Sequence, residues 1–172
     1  EIGRQAKKAG TVFLLLTGGE PMLRPDFEEI YRGLSEMGFS IFINTNGSYM
    51  NDSIKELFRE LPPAMVNVTL YGASAEGYER LCGRGDVYNK VTETILWLKE
   101  QDLSVTVNCT VTPWNVDELE QIYELVFTTQ EKSYVVEAAI VEGKDVIIID
   151  GRHPVVENVL GTDYVVNDVI VN

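Results

Sequence analysis

Short apolar runs alternate with helical patterns along residues 11–127. Thr11 to Leu16 is a continuous apolar run, which predicts a strand buried on both faces. Pro25 is suited to open the following helix, because its missing N–H would have no partner there anyway. Phe27, Ile30, Tyr31 and Leu34 then fall on one helical face, and Gly38 supplies a stop. Phe39 to Thr45 predicts a second strand, broken by Asn46-Gly47. Asn51 or Asp52 can cap a helix carrying Ile54, Leu57, Phe58 and Leu61, which Pro62-Pro63 ends. A third strand follows from Met65 to Tyr71. After it comes a glycine-punctuated connection (Gly72, Gly77, Gly83, Gly85), then a helix with Val87, Val91, Ile95 and Leu98. Leu103 to Val111 predicts the fourth strand. Asn115 with Glu118 three residues on has the form of a capping box before Leu119, Ile122, Tyr123 and Val126.

Four successive βα units with short links require a parallel sheet with right-handed crossovers. Two architectures satisfy the pattern: part of a β/α barrel, or an open doubly wound sheet. In both, ligands bind at the C-terminal ends of the strands. Gly18-Gly19-Glu20, Thr45-Asn46 and Tyr71-Gly72 all fall at such ends.

The pattern changes near residues 128–133. Sixteen of the last forty residues are Val or Ile, and no amphipathic helix is evident among them. Tyr134 to Val141 and Val146 to Asp150 predict two strands joined over Glu142-Gly143-Lys144, and a further β-like stretch runs from Tyr164 to the end. The expected division is therefore 1–128 and 133–172. Ahead of the first strand, Glu1 to Gly10 reads as the tail of a helix, in a chain begun downstream of its natural start.

Charge and cysteine content narrow the function classes. A net charge of −13 repels nucleic acid at long range, so a nucleic-acid partner is not expected. Arg4, Lys7 and Lys8 read as the solvated side of a helix. No run of apolar residues is long enough to span a bilayer, and a cytoplasmic protein is expected. Cys82 and Cys109 make neither a disulfide framework nor a metal-binding spacing.

The strand-end run Thr17-Gly18-Gly19-Glu20-Pro21 carries the most chemistry. Two adjacent glycines let the backbone turn sharply and approach a ligand with no Cβ in the way. Glu20 adds a carboxylate acceptor, the neighbouring carbonyls suit an ammonium group, and Pro21 fixes the exit. Taken alone, the run reads first as a tight strand-to-helix turn with a solvated glutamate.

The wider stretch Leu14 to Phe27 (LLLTGGEPMLRPDF) resembles radical SAM enzymes, especially the maturase-like branch that often carries a SPASM or twitch extension. Asn44-Thr45-Asn46-Gly47, Val68-Thr69-Leu70-Tyr71-Gly72, and Thr106-Val107-Asn108 with Val111-Thr112-Pro113 continue the resemblance in order, strand by strand. It covers roughly residues 1–127 and implies a partial parallel (β/α) barrel. It also implies two cofactors, S-adenosylmethionine and a 4Fe–4S cluster, that together generate a 5′-deoxyadenosyl radical, and in this branch often a peptide substrate. Gly18, Gly19, Glu20 and Pro21 are then expected at the methionyl end of S-adenosylmethionine. Thr45, Asn46, Thr69, Tyr71 and Asn108 are expected along its carboxylate, ribose and adenine, although ordinary strand packing explains Thr45, Thr69 and Asn108 as well.

The family's CxxxCxxC loop has no counterpart in this chain. Residues 1–10 resemble the end of the helix that follows that loop, so the expectation is a fragment that cannot build the cluster and is inactive. A second resemblance covers about residues 133–172. Asp150-Gly151-Arg152-His153-Pro154-Val155-Val156-Glu157 and Tyr164-Val165-Val166-Asn167-Asp168 are similar to the segment where the ATPase domain of MutS mismatch-repair proteins begins. The phosphate-binding GxxxxGKS/T loop of such proteins is absent, and His153 and Arg152 read as structural residues. Two interrupted families suggest a chimeric joint near 128–133. A MutS-like ATP-binding fragment and a non-catalytic α/β binding module are the alternative functions.

Overall fold

The computed structural model describes residues 1–126, 137–140, 146–151 and 167–171, in two units, Glu1–Val126 and Phe127–Asn172. In the first unit a short helix, α1 (Ile2–Lys8), precedes strand β1 (Phe13–Leu16), helix α2 (Phe27–Glu36) and β2 (Ser40–Thr45). Helix α3 (Asp52–Glu60), β3 (Met65–Thr69), α4 (Ala75–Cys82), α5 (Tyr88–Glu100), β4 (Val105–Asn108) and α6 (Leu119–Val126) complete it.

The strands lie in the order β1-β2-β3-β4, and every neighbouring pair is parallel. Strand order equal to chain order is what successive right-handed crossovers produce when all helices lie on one side. A doubly wound sheet would reverse its order and carry helices on both faces. The arrangement is therefore the partial barrel of the two architectures.

Burial alternates along the strands with the pleat. In β2, Ile41, Ile43 and Thr45 are buried, and in β3 Val66 and Val68 are buried. These pack beneath Tyr31 of α2, Leu57 and Phe58 of α3, and Val91, Ile95 and Leu98 of α5, all fully enclosed. Each such apolar side chain contributes about 1.5–3 kcal/mol of transfer free energy. The other face meets no described helix. It presents Phe13 and Leu15 of β1, Ser40, Phe42 and Asn44 of β2, Met65, Asn67 and Thr69 of β3, and Thr106 and Asn108 of β4.

Five sequence expectations need correction. The first strand is not buried on both faces, because Phe13 and Leu15 remain 66% and 52% exposed. It is an edge strand, and no described helix covers the face that Phe13 shares with Phe42 of β2. Pro25 does not open α2. Pro21 instead starts a 3-10 turn, Pro21–Leu23, and α2 begins after Asp26, with Glu28 and Glu29 in its first turn. The connection after β3 is not a loop, because Ser74 caps α4 by accepting from the Gly77 N–H, and Gly83 ends it at φ +65°. The strands are also shorter than expected at their polar ends, β3 stopping at Thr69 and β4 at Asn108. The capping box at Asn115 does not form, for a reason given below.

The second unit contains β5 (Glu137–Ile140), β6 (Val146–Gly151) and β7 (Asn167–Val171). They make an antiparallel sheet in that order, with an irregularity between Ile148 and Gly151. Glu142-Gly143-Lys144, Arg152 and His153 lie outside the described residues.

Candidate functional site at the strand ends

The C-terminal ends of β1 to β4 form one rim. The turn after β1 is open: Thr17, Gly18 and Gly19 are exposed, and a Cβ added at either glycine would meet nothing within 4 Å. Gly18 has φ +139°, a conformation that side-chain-bearing residues rarely adopt. The absence of side chains there leaves backbone carbonyls and amides free to meet a ligand.

Glu20 fastens this turn to the next strand. The Thr45 hydroxyl lies 2.8 Å from each Glu20 oxygen, and the Asn46 N–H donates to Oε2 at 2.8 Å. The Met22 N–H donates to Oε1 at 3.2 Å, so the same carboxylate caps the 3-10 turn that Pro21 begins. Charge-assisted bonds of this kind are stronger than neutral ones. Thr45 is buried, and its hydroxyl also accepts from the Gly47 N–H at 2.9 Å. Asn46 is exposed, with Oδ1 accepting from both the backbone N–H and the hydroxyl of Ser48.

Thr69 and Asn108 stand opposite one another at the ends of β3 and β4, on the face without helices. Tyr71 is half-buried, edge-on to Tyr78 with centroids 5.8 Å apart, and its carbonyl accepts from Asn115. Glu20, Thr45 and Asn46 thus form one hydrogen-bonded cluster beside the open Gly18-Gly19 turn, and Thr69 and Asn108 share the adjoining strand ends. Tyr71 belongs to the packing beneath the loop after β3.

That loop is held by two residues whose roles the sequence pattern did not disclose. Asn115 is fully buried and turns backward instead of capping α6. Its Oδ1 accepts from the Thr112 N–H at 2.7 Å, and its Nδ2 donates to the carbonyls of Tyr71 and Thr110 at 2.9 and 3.0 Å. Glu118 reaches across to accept from the Ala73 N–H at 2.7 Å and the Ser74 hydroxyl at 3.0 Å, and pairs with Arg80 at 2.8 Å. Gly72 and Gly77 leave the room this carboxylate occupies. Around it, burial and then the Glu118 charge push the Tyr88 phenol and the Cys109 thiol up.

Four parallel strands alternating with helices, with an open glycine turn at one strand end, define a partial α/β barrel. The radical SAM superfamily matches residues 1–126, and the chain belongs to it. It is 31% identical over 116 residues to the AdoMet-dependent heme synthase of Methanosarcina barkeri, covering 67% of this chain and 33% of that protein. It is 33% identical over 115 residues to the GTP 3′,8-cyclase of Aquifex aeolicus, covering 65% of this chain and 36% of the cyclase. The chain thus spans about a third of the length of these curated relatives. Among solved structures, Streptococcus suis SuiB bound to the precursor peptide SuiA superposes with a TM-score of 0.59 at 21% identity, over 72% of this chain and 28% of SuiB. SuiB bound to S-adenosylmethionine gives 0.58. The likeness to SuiB is one of fold.

The superfamily implies S-adenosylmethionine and a 4Fe–4S cluster as cofactors. The residues present do not fit the cluster. Only two cysteines occur in the sequence. They lie on α4 and just beyond β4, and no group of three metal-ligating side chains forms among the described residues. No described helix is long and apolar enough to cross a membrane. The family match ends at residue 126 and does not reach residues 133–172.

Proposed function

We propose that residues 1–126 are the S-adenosylmethionine-binding part of a radical SAM enzyme. The observation that carries the reading is the Gly18-Gly19-Glu20 turn, open to ligand on one side and tied by Glu20 to the end of β2 on the other. Its backbone carbonyls would accept from the methionyl ammonium, and the φ of Gly18 keeps that approach free of side chains. Pro21 fixes the exit of the turn. Thr45 and Asn46 hold the second strand end, while Thr69 and Asn108 offer polar contacts along the ribose and adenine, and Tyr71 packs beneath the loop that follows. Bound S-adenosylmethionine supplies the radical precursor, and the protein's own task is to position it and exclude water.

The chain on its own is proposed to be inactive, since two separated cysteines cannot replace three clustered thiolates. A peptide-modifying parent of the maturase-like branch is the finer reading, and the likeness in fold to SuiB is consistent with it. For residues 133–172 we propose a joint with a different gene. The end of the family match at 126 and the change of unit at Phe127 favour it. An uninterrupted, transcribed genomic clone across that position would refute the joint.

Calorimetric titration of the full chain with S-adenosylmethionine tests the main reading. Weak binding is expected in the parent chain, and Glu20→Ala should weaken it about 5-fold or more while circular dichroism is retained. Equal affinity in both proteins, or none in either, overturns it.

A further inference from the structure

The sheet face without helices has a neutral polar row one step below the rim. Asn44 of β2 and Asn67 of β3 are register partners, and Thr106 of β4 continues the row. The Asn67 Nδ2 donates to Asn44 Oδ1 at 2.8 Å. Asparagine is depleted in strands, so two of them facing each other at the sheet centre are costly on propensity alone. Both are half-buried, which limits their motion without closing them off.

A carboxamide carries donors and an acceptor, and the bond between the two side chains uses one of each. Neither carboxamide has another described partner, so the Asn44 NH₂ group and the Asn67 carbonyl remain wholly unused, on the face away from the helices. Exchanging N and O in both side chains leaves the same pair. The row beneath is apolar, formed by Leu15, Phe42 and Met65, and the Thr106 hydroxyl is spent on the Met65 sulfur at 3.5 Å. No charged residue stands on this face of β1 to β4. A carboxylate or phosphate would find no counter-ion there. Neutral donors and acceptors over an apolar floor suit a neutral group that carries both, as an amide does.

We infer that Asn44 and Asn67 read an amide group of the substrate, fixing its position below the rim as a specificity-determining pair. The location rests on the rim being the S-adenosylmethionine site. Thr69 lies two residues beyond Asn67, about 7 Å along the strand, which places an amide held here within van der Waals reach of a ligand lying across the rim.

The test uses the full ¹⁵N-labelled chain and a neutral blocked peptide, acetyl-trialanine amide, with and without saturating S-adenosylmethionine. The peptide should move the side-chain NH₂ signals of Asn44 and Asn67. Asn67→Leu should weaken its binding about 5-fold or more, while Asn89→Leu on the exposed side of α5 should leave it unchanged. S-adenosylmethionine affinity should be the same in all three proteins. Unmoved Asn44 and Asn67 signals, or equal peptide affinity in Asn67→Leu, overturn the inference even if S-adenosylmethionine binds. Peptide binding through these residues without any affinity for S-adenosylmethionine supports the pair and overturns the function proposed for the rim.

Discussion

Replacing Asn115 with alanine is expected to destabilise the Glu1–Val126 unit by about 2–4 kcal/mol. The magnitude follows from what the carboxamide leaves behind. It bonds the Thr112 N–H and hydroxyl through Oδ1, and the Tyr71 and Thr110 carbonyls through Nδ2. Thr110 is exposed and Thr112 half-exposed, so the Thr110 carbonyl and the Thr112 hydroxyl can turn to water at little cost. The Thr112 N–H and the Tyr71 carbonyl, backbone groups of half-buried residues, lose their partner as well, and each group left unsatisfied costs about 1–3 kcal/mol. Water entering the vacated space recovers part of that sum. Both tryptophans, Trp97 and Trp114, lie in this unit, so urea unfolding followed by tryptophan fluorescence reports on it without the C-terminal strands. Asn115→Asp keeps the acceptor but sets a charge against two carbonyls, and should lose at least as much at neutral pH. An Asn115→Ala midpoint that corresponds to less than about 0.5 kcal/mol would refute the reasoning, because surface substitutions alone reach that size.

Two further outcomes follow from the core. Gly47 has φ +70°, and an added Cβ would lie 2.9 Å from Val68 Cγ1 and 3.2 Å from Val91 Cγ1. Gly47→Ala should therefore cost about 2–3 kcal/mol by the same unfolding assay, from strain and overpacking together; a wild-type midpoint would contradict it. Burial pushes the phenols of Tyr31 and Tyr78 well above the ordinary tyrosine value, and the Tyr78 hydroxyl has no hydrogen-bond partner among the described residues. A raised folded-state value means their contribution to stability is complete below about pH 10 and is lost as pH climbs from there toward the folded value. Alkaline titration should show late tyrosinate absorbance rising together with loss of tryptophan fluorescence. Ionisation of every tyrosine with the fold intact would show that neither ring is enclosed.

The strands and most helices could be read from sequence because their signals are local. Ile41, Phe42 and Ile43 make a short apolar run between Ser40 and Asn44, and Asn51 announces α3 three residues before Ile54. The Gly-Gly-Glu turn was legible in the same way, from residue types at a strand end. Helix α4 was hidden because its own glycine and polar residues resemble a loop, although Ser74 and Gly83 mark its two ends. Asn115 and Glu118 have the spacing of a local cap, yet bond residues more than forty positions away along the chain. Local spacing cannot distinguish those outcomes, since the competing partners exist only after β3 and β4 pair. The Asn44–Asn67 pair is concealed for the same reason: each lies unremarked in its own strand until register sets them side by side.

Glu20 now has a meaning its place in the motif did not convey. Three backbone or hydroxyl donors on two segments already occupy its carboxylate before any ligand arrives. Most of its acceptor capacity is committed to the joint between the turn after β1 and the end of β2, so the side chain works as a tie-rod, and under the function proposed above recognition falls mainly to the turn's main chain. The shape of the turn is set during folding, and association does not have to bear the entropy of ordering it.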